Sequence, residues 1–158
     1  MISLSRSHRI VIAMLCLPML LVGCTHEPEI EMTPEQSRQV FVTEAKAVIQ
    51  AVIPNANPRV ILVGQDAPCG GPVGTDSSSV ESAYSVVGEA PGDTQNPDEV
   101  FRKVIDVLKQ RGWTINYSDS RLAGARRKGF GGFRVGIGDA PISINIDGRT
   151  ECVENPDK

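Results

Sequence analysis

Thirteen residues near the start of this 158-residue chain decide how much of it is left to fold. Ile10 to Val22 is apolar except for Cys16 and Pro18, follows a short basic segment of Arg6, His8 and Arg9, and ends in Leu21-Val22-Gly23-Cys24. Thirteen apolar residues are too few for an ordinary transmembrane helix, which needs ~20 to cross the hydrocarbon. The layout is that of a secretory signal peptide. Its last four residues have the form of a bacterial lipobox: a branched apolar residue, a tolerant position, a small residue and Cys. Gly23 suits a peptidase pocket with no room for a side chain, and Cys24 supplies the thiol that would carry the lipid. On this reading residues 1–23 are removed, and Cys24 becomes the anchored first residue on the extracytoplasmic side of the cell membrane. Two or three long acyl chains, at ~0.8 kcal/mol per buried methylene, hold far more firmly than one myristoyl group. The competing readings are a plain secretory signal and an uncleaved anchor helix.

What remains is about 135 residues, enough for one domain with a single core. Residues 24–32 are polar and acidic and contain Pro28, which makes them a tether; residues 33–158 are the expected domain. Without Arg6 and Arg9 the balance is 14 basic against 19 acidic side chains, or −5. That is ordinary solubility charge and argues against nucleic acid as a partner, which demands a basic face that displaces counterions.

The four cysteines divide by position. Cys16 leaves with the signal and Cys24 takes the lipid. Cys69 and Cys152 remain in a chain bound for an oxidising compartment, which points to one disulfide. A reactive thiol and a metal site are the alternatives. Two distant cysteines make a poor metal site, and the only histidine after residue 23 is His26, in the tether.

Within the domain, Thr33-Pro34-Glu35-Gln36 forms a capping box with Pro at the first helical position. Phe41, Ala45, Val48 and Val52 then mark one helical face, widened by Val42, Ile49 and Ile53, and Pro54 ends the helix. Arg59 to Gly64 reads as a first strand, Gln65 to Ser79 as a loop holding Cys69, and Val80 to Val87 as a second strand. Asn96-Pro97-Asp98-Glu99 opens a second helix with Phe101, Val104, Ile105 and Leu108 on its apolar face, and Gly112 suits its C′ position. Trp113, Ile115 and Tyr117 alternate as a third strand, Ser118 to Gly132 is a polar, basic, Gly-rich connection, and Phe133 to Ile137 and Ile142 to Ile146 are the last strands. The order α-β-β-α-β-β-β, with short final connections, predicts an α+β domain of two layers: an antiparallel sheet of about five strands with two helices on one face.

Candidate chemistry is sparse. No histidine follows His26, which removes the commonest general base and metal ligand from the domain. Ser77-Ser78-Ser79 offers hydroxyls, but nothing places a Lys beside them, and a Ser-rich turn is the simpler reading. Gly129, Gly131, Gly132, Gly136 and Gly138 precede and enter a strand, whereas a phosphate loop follows a strand and opens a helix. No cofactor and no metal set is expected. The concentrated charge is Arg126-Arg127-Lys128 with Arg121 nearby. It reads either as a solvated hairpin tip or as a contact for an anion: lipid head groups, a phosphorylated glycan or an acidic envelope partner.

The assembled pattern resembles the LppA-type lipoproteins of mycobacteria. The features that carry the resemblance are the Leu21 to Cys24 lipobox, Cys69 in an early loop, a helix ending in Lys-Gln-Arg-Gly-Trp-Thr, the Gly-Phe-Gly-Gly-Phe-Arg strand entry, and the Ile-Ser-Ile-Asn-Ile-Asp-Gly-Arg-Thr-Glu-Cys close. The resemblance implies a structural pair for Cys69 and Cys152 and brings no catalytic residue. The resulting expectation is a non-catalytic cell-envelope lipoprotein whose domain binds a partner or contributes to envelope structure. A lipid or small-molecule carrier is the alternative, and a hydrolase working without histidine the second.

Overall fold

The structure, a computed structural model, describes residues 31–72, 75–92 and 94–158. The proposed signal, Cys24 and most of the tether therefore lie outside the described residues. Helix α1 runs Pro34–Val52. The Thr33 side chain accepts from the Gln36 backbone N–H while the Gln36 side chain accepts from the Thr33 N–H, so two orphan donors are satisfied reciprocally. Helix α2 runs Pro97–Gln110, capped by Asn96, whose side chain accepts from the Asp98 N–H. It ends as a Schellman motif: the Gly112 N–H donates to the Lys109 carbonyl and the Trp113 N–H to the Leu108 carbonyl. That geometry needs a left-handed residue at C′, and Gly112 supplies it at φ +80.

The strands are β1 (Arg59–Gly70), β2 (Asp76–Ala90), β3 (Thr114–Asp119), β4 (Leu122–Arg127), β5 (Gly131–Asp139), β6 (Ile142–Arg149) and β7 (Val153–Glu154). They form one antiparallel sheet in the order β1-β2-β6-β5-β4-β3, with β7 beside β2. The four final long strands are a meander whose last member, β6, inserts against β2. Register sorts the faces. Val86, Ile146 and Val135 stand side by side across three strands, as do Gly88, Ile144 and Ile137. With Phe41, Val48 and Ile49 of α1 and Val100, Val104 and Leu108 of α2, these residues make the core between sheet and helices. The domain is thus α+β in two layers, both helices on one face. Each large aliphatic side chain taken fully out of water contributes roughly 1.5–3 kcal/mol.

The sheet exceeds the expected five strands by two, β4 and the two-residue β7 beyond Cys152, and β1 is longer than expected. Strand β4 lies inside the stretch read as a connection. Its inward residues are Ala123 and Ala125, both buried, and small side chains give no apolar periodicity to read. Strand β1 continues through the expected loop to Gly70, so Cys69 sits in a strand, with Pro68 opposite Val80. Pro is tolerated there because β1 is an edge strand and need not donate outward. A third departure is local. A bulge between Ile115 and Tyr117 turns Tyr117 onto the helix-free face, where its ring lies over Gly124. Tyr117 therefore does not share a face with Ile115.

The helix–sheet distance is set in part by Gly88. A methyl added there would come within 2.3 Å of the Ile49 Cγ2 on α1. Gly88→Ala should therefore lower stability by about 1–3 kcal/mol, read as the urea midpoint. Gly132→Ala, whose methyl would meet nothing closer than 3.6 Å, should cost clearly less.

Candidate functional site

The two sequence-distant cysteines meet. Cys69 near the end of β1 and Cys152 just before β7 are disulfide-bonded, with Cα atoms 6.0 Å apart, within the range such a bond requires. The Thr150 hydroxyl, which accepts from the Ser82 N–H at 3.0 Å, holds the approach to Cys152 beside β2. On the other side, the Ser37 hydroxyl on α1 donates to the Glu151 carbonyl at 3.1 Å.

The basic residues do not form one cluster, because β4 separates them. Arg121, in the turn before β4, donates to Asp98 at the start of α2 at 2.5 Å and also to Asp139 at the end of β5. Its bond with Arg121 holds the Asp98 carboxyl below the usual carboxylate range. Arg126 and Arg127 lie at the other end of the strand, followed by Lys128. Arg126 is exposed and reaches Glu151 only at 3.8 Å. Arg127 turns inward. Its guanidinium stands 3.9 Å from the centre of the Phe130 ring, and it donates to Glu44 at 3.2 Å. A surface depression of ≈ 400 Å³ is lined by Arg126, Arg127 and Lys128 together with Gly112, Thr114 and Glu151.

Glu44 is the residue that sequence reading passed over. It follows Phe41 by three on the apolar face of α1, and a carboxylate on such a stripe is itself a signal of buried pairing. Its side chain is 9% exposed. Arg111, at the C-cap of α2, holds it through two bonds of 2.9 and 2.6 Å, and the Trp113 indole N–H donates to it at 3.1 Å. Burial alone would raise its pKa, but the bonds from Arg111 and Trp113 outweigh that and leave it below the ordinary value. Trp113 in turn packs on Phe133, with ring centroids 4.3 Å apart.

A second carboxylate, Asp66 on β1, takes both oxygens to Arg38 of α1 at 2.7 Å and accepts from the Ser82 hydroxyl. The bond from Arg38, then that from Ser82, holds Asp66 below the usual range. A carboxylate so held is a weak base, so the adjacent Ser82 hydroxyl is not activated as a nucleophile. On the helix-free face, Ser85 donates to Asp147 at 2.5 Å and Asn145 donates to the same carboxylate at 3.0 Å. Among the described residues, no three or more His, Cys, Asp or Glu converge as a metal set.

What the geometry defines is a disulfide-closed two-layer α+β domain whose ionisable groups cross-brace its elements. Compared with protein-family models, curated proteins and solved structures, the chain matches none.

Two outcomes follow. Because the folded pKa of Glu44 is depressed, the stability it contributes is present above its unfolded value near ~4.3 and is lost as pH falls through the folded value. Glu44→Gln should cost about 2–3 kcal/mol at pH 7 by urea unfolding and should flatten the acid limb of stability against pH. Removing the disulfide should cost ~2–5 kcal/mol. Cys69→Ser and Cys152→Ser should be destabilised alike, and the double variant should be no worse than either. Thiol titration of unfolded, unreduced protein should find neither of these two cysteines free.

Proposed function

We propose that the protein is a lipid-anchored cell-envelope protein whose domain is a non-catalytic binding or structural module, in the manner of the LppA-type lipoproteins it resembles. The observation that carries this reading is the Cys69–Cys152 bond. A structural disulfide persists in an oxidising compartment, which is where a chain led by a signal segment is delivered. The bond also accounts for both cysteines of the domain, leaving Cys24 as the one thiol after residue 23 for modification. The form of Leu21-Val22-Gly23-Cys24 supports lipid attachment at that thiol. The non-catalytic part of the reading is supported by the way the domain's carboxylates are used. Glu44, Asp66 and Asp98 are each occupied by an arginine that joins two elements, an arrangement suited to rigidity.

Cells producing the full chain should incorporate labelled palmitate into it, and the protein should fractionate with the membrane. Cys24→Ala should abolish the label and release or mislocalise the protein. Continued labelling of that variant would end the lipoprotein reading.

A further inference from the structure

The helix-free face of the sheet carries a shelf built on glycine. Leu122, Gly124 and Arg126 alternate along β4 on that face, and Gly132, Arg134 and Gly136 do so along β5. Tyr117, opposite Gly124, lies down on the sheet. Three of its ring carbons come within 2.9 Å of where a Gly124 Cβ would be, so any other residue at 124 would push the ring off. The underside of the ring is covered by β4, while the residue as a whole stays 44% exposed. Leu122, 42% exposed, extends the apolar floor toward Gly136, where its Cδ1 is 3.8 Å from the corresponding Cβ point. Two arginines border this floor. Arg134 is directly opposite Gly124, and Arg126 stands two residues along β4, opposite Gly132. They are diagonal neighbours, ~7–8 Å apart. Both are exposed. Arg126 reaches Glu151 only at 3.8 Å, and Arg134 has no ion pair or hydrogen-bond partner for its side chain among the described residues.

We propose that this shelf binds a saccharide whose stacked ring carries an anionic substituent, a phosphate or a carboxylate. This is a ligand class for the binding module proposed above, and it rests on that reading, not on the lipid anchor. A pyranose has an apolar face of C–H groups, which suits a phenol ring lying flat with one side open, and edge hydroxyls that need donors and acceptors. Arg134 supplies donors. Asp147, opposite it on β6 and bonded to Asn145, brings carboxylate and amide groups to the same row. Arg126 and Arg134 together can close on one oxyanion over Gly132, where even a Cβ would meet nothing nearer than 3.6 Å. Spacing selects a charged sugar over a nucleotide. Gly124, beneath the ring, is one strand from Arg134, or ~4.7–4.9 Å. The charge must therefore be carried by the stacked ring itself, whereas in a nucleotide a pentose separates base from phosphate. A bare anion would use the arginines and leave the ring idle.

The test is a ligand titration of the purified full-length protein, in a detergent free of sugar and phosphate, read by saturation transfer from protein to ligand protons. The probes are glucose 6-phosphate, glucuronate, glucose and AMP, with inorganic phosphate as competitor. Glucose 6-phosphate, glucuronate or both should receive saturation at their ring C–H protons, and which of them does so identifies the substituent. Glucose should bind at least ~10-fold more weakly, and Arg134→Ala should weaken the charged sugar by a similar factor. Tyr117→Ala should weaken it about 5-fold, and Tyr117→Phe should preserve binding. Arg102→Ala, which removes a guanidinium 73% exposed on α2, should change nothing. Thermal unfolding should show every variant folded, since none of these side chains is in the core. Palmitate labelling decides the anchor and this titration decides the site, so either can fail without the other. No saturation of either charged sugar, equal binding of glucose, tighter binding of AMP, an unchanged Tyr117→Ala, or a loss on Arg102→Ala would overturn the proposal.

Discussion

Glu44 is where the two helices and the sheet are tied to one another. It projects from the apolar face of α1, receives Arg111 from the end of α2, Trp113 just before β3 and Arg127 from the end of β4, and keeps only 9% of its side chain in contact with solvent. A buried carboxylate is tolerable only when its lone pairs are filled by well-placed donors. Here four bonds fill them, two from Arg111, one from Trp113 just beyond the end of α2 and one from Arg127 at the end of β4. Removing one partner would leave an uncompensated buried charge. Alternative packings of α1 on the sheet would leave this charge without partners, and the hydrophobic core alone would not distinguish between them so sharply.

Around that point the remaining ionic contacts act in the same way at the periphery. Arg38 ties α1 to β1 through Asp66, and Arg121 ties the β3–β4 turn to both α2 and β5. The disulfide fastens the end of β1, one residue past Pro68, to the segment between β6 and β7. The result is a domain whose cations are largely spent on internal bracing. This is why the basic residues separate into an Asp-bound Arg121 at one end of β4 and an Arg126–Lys128 end at the other, each of which borders a surface depression.

The contrast with β1 is instructive. Elsewhere on the sheet most large apolar residues face the helices, and Tyr117 lies over Gly124. On β1 the helices run out before the strand does, and three aliphatic side chains are left in water. Such an edge is costly to keep in water unless something else covers it.

The chain by itself determined the local elements. Both helix starts are capped by short-range contacts, the end of α2 follows from Gly112, and the alternation of Ile142, Ile144 and Ile146 is a strand pattern at any position in a fold. These are decided within a few residues, so they can be read from order alone. Tertiary structure decided what depends on partners distant in sequence. The small residues of β4 become a strand only because two neighbouring strands supply hydrogen-bond ladders on either side. The bulge that turns Tyr117 outward is set by register against β4, and the extension of β1 through Cys69 is set by pairing with β2. Glu44, conspicuous on an apolar stripe, acquires its meaning only when Arg111, Trp113 and Arg127, separated from it by 67 or more residues, are brought to the same oxygens. A carboxylate's environment is a property of what folds around it, and no local window contains that information.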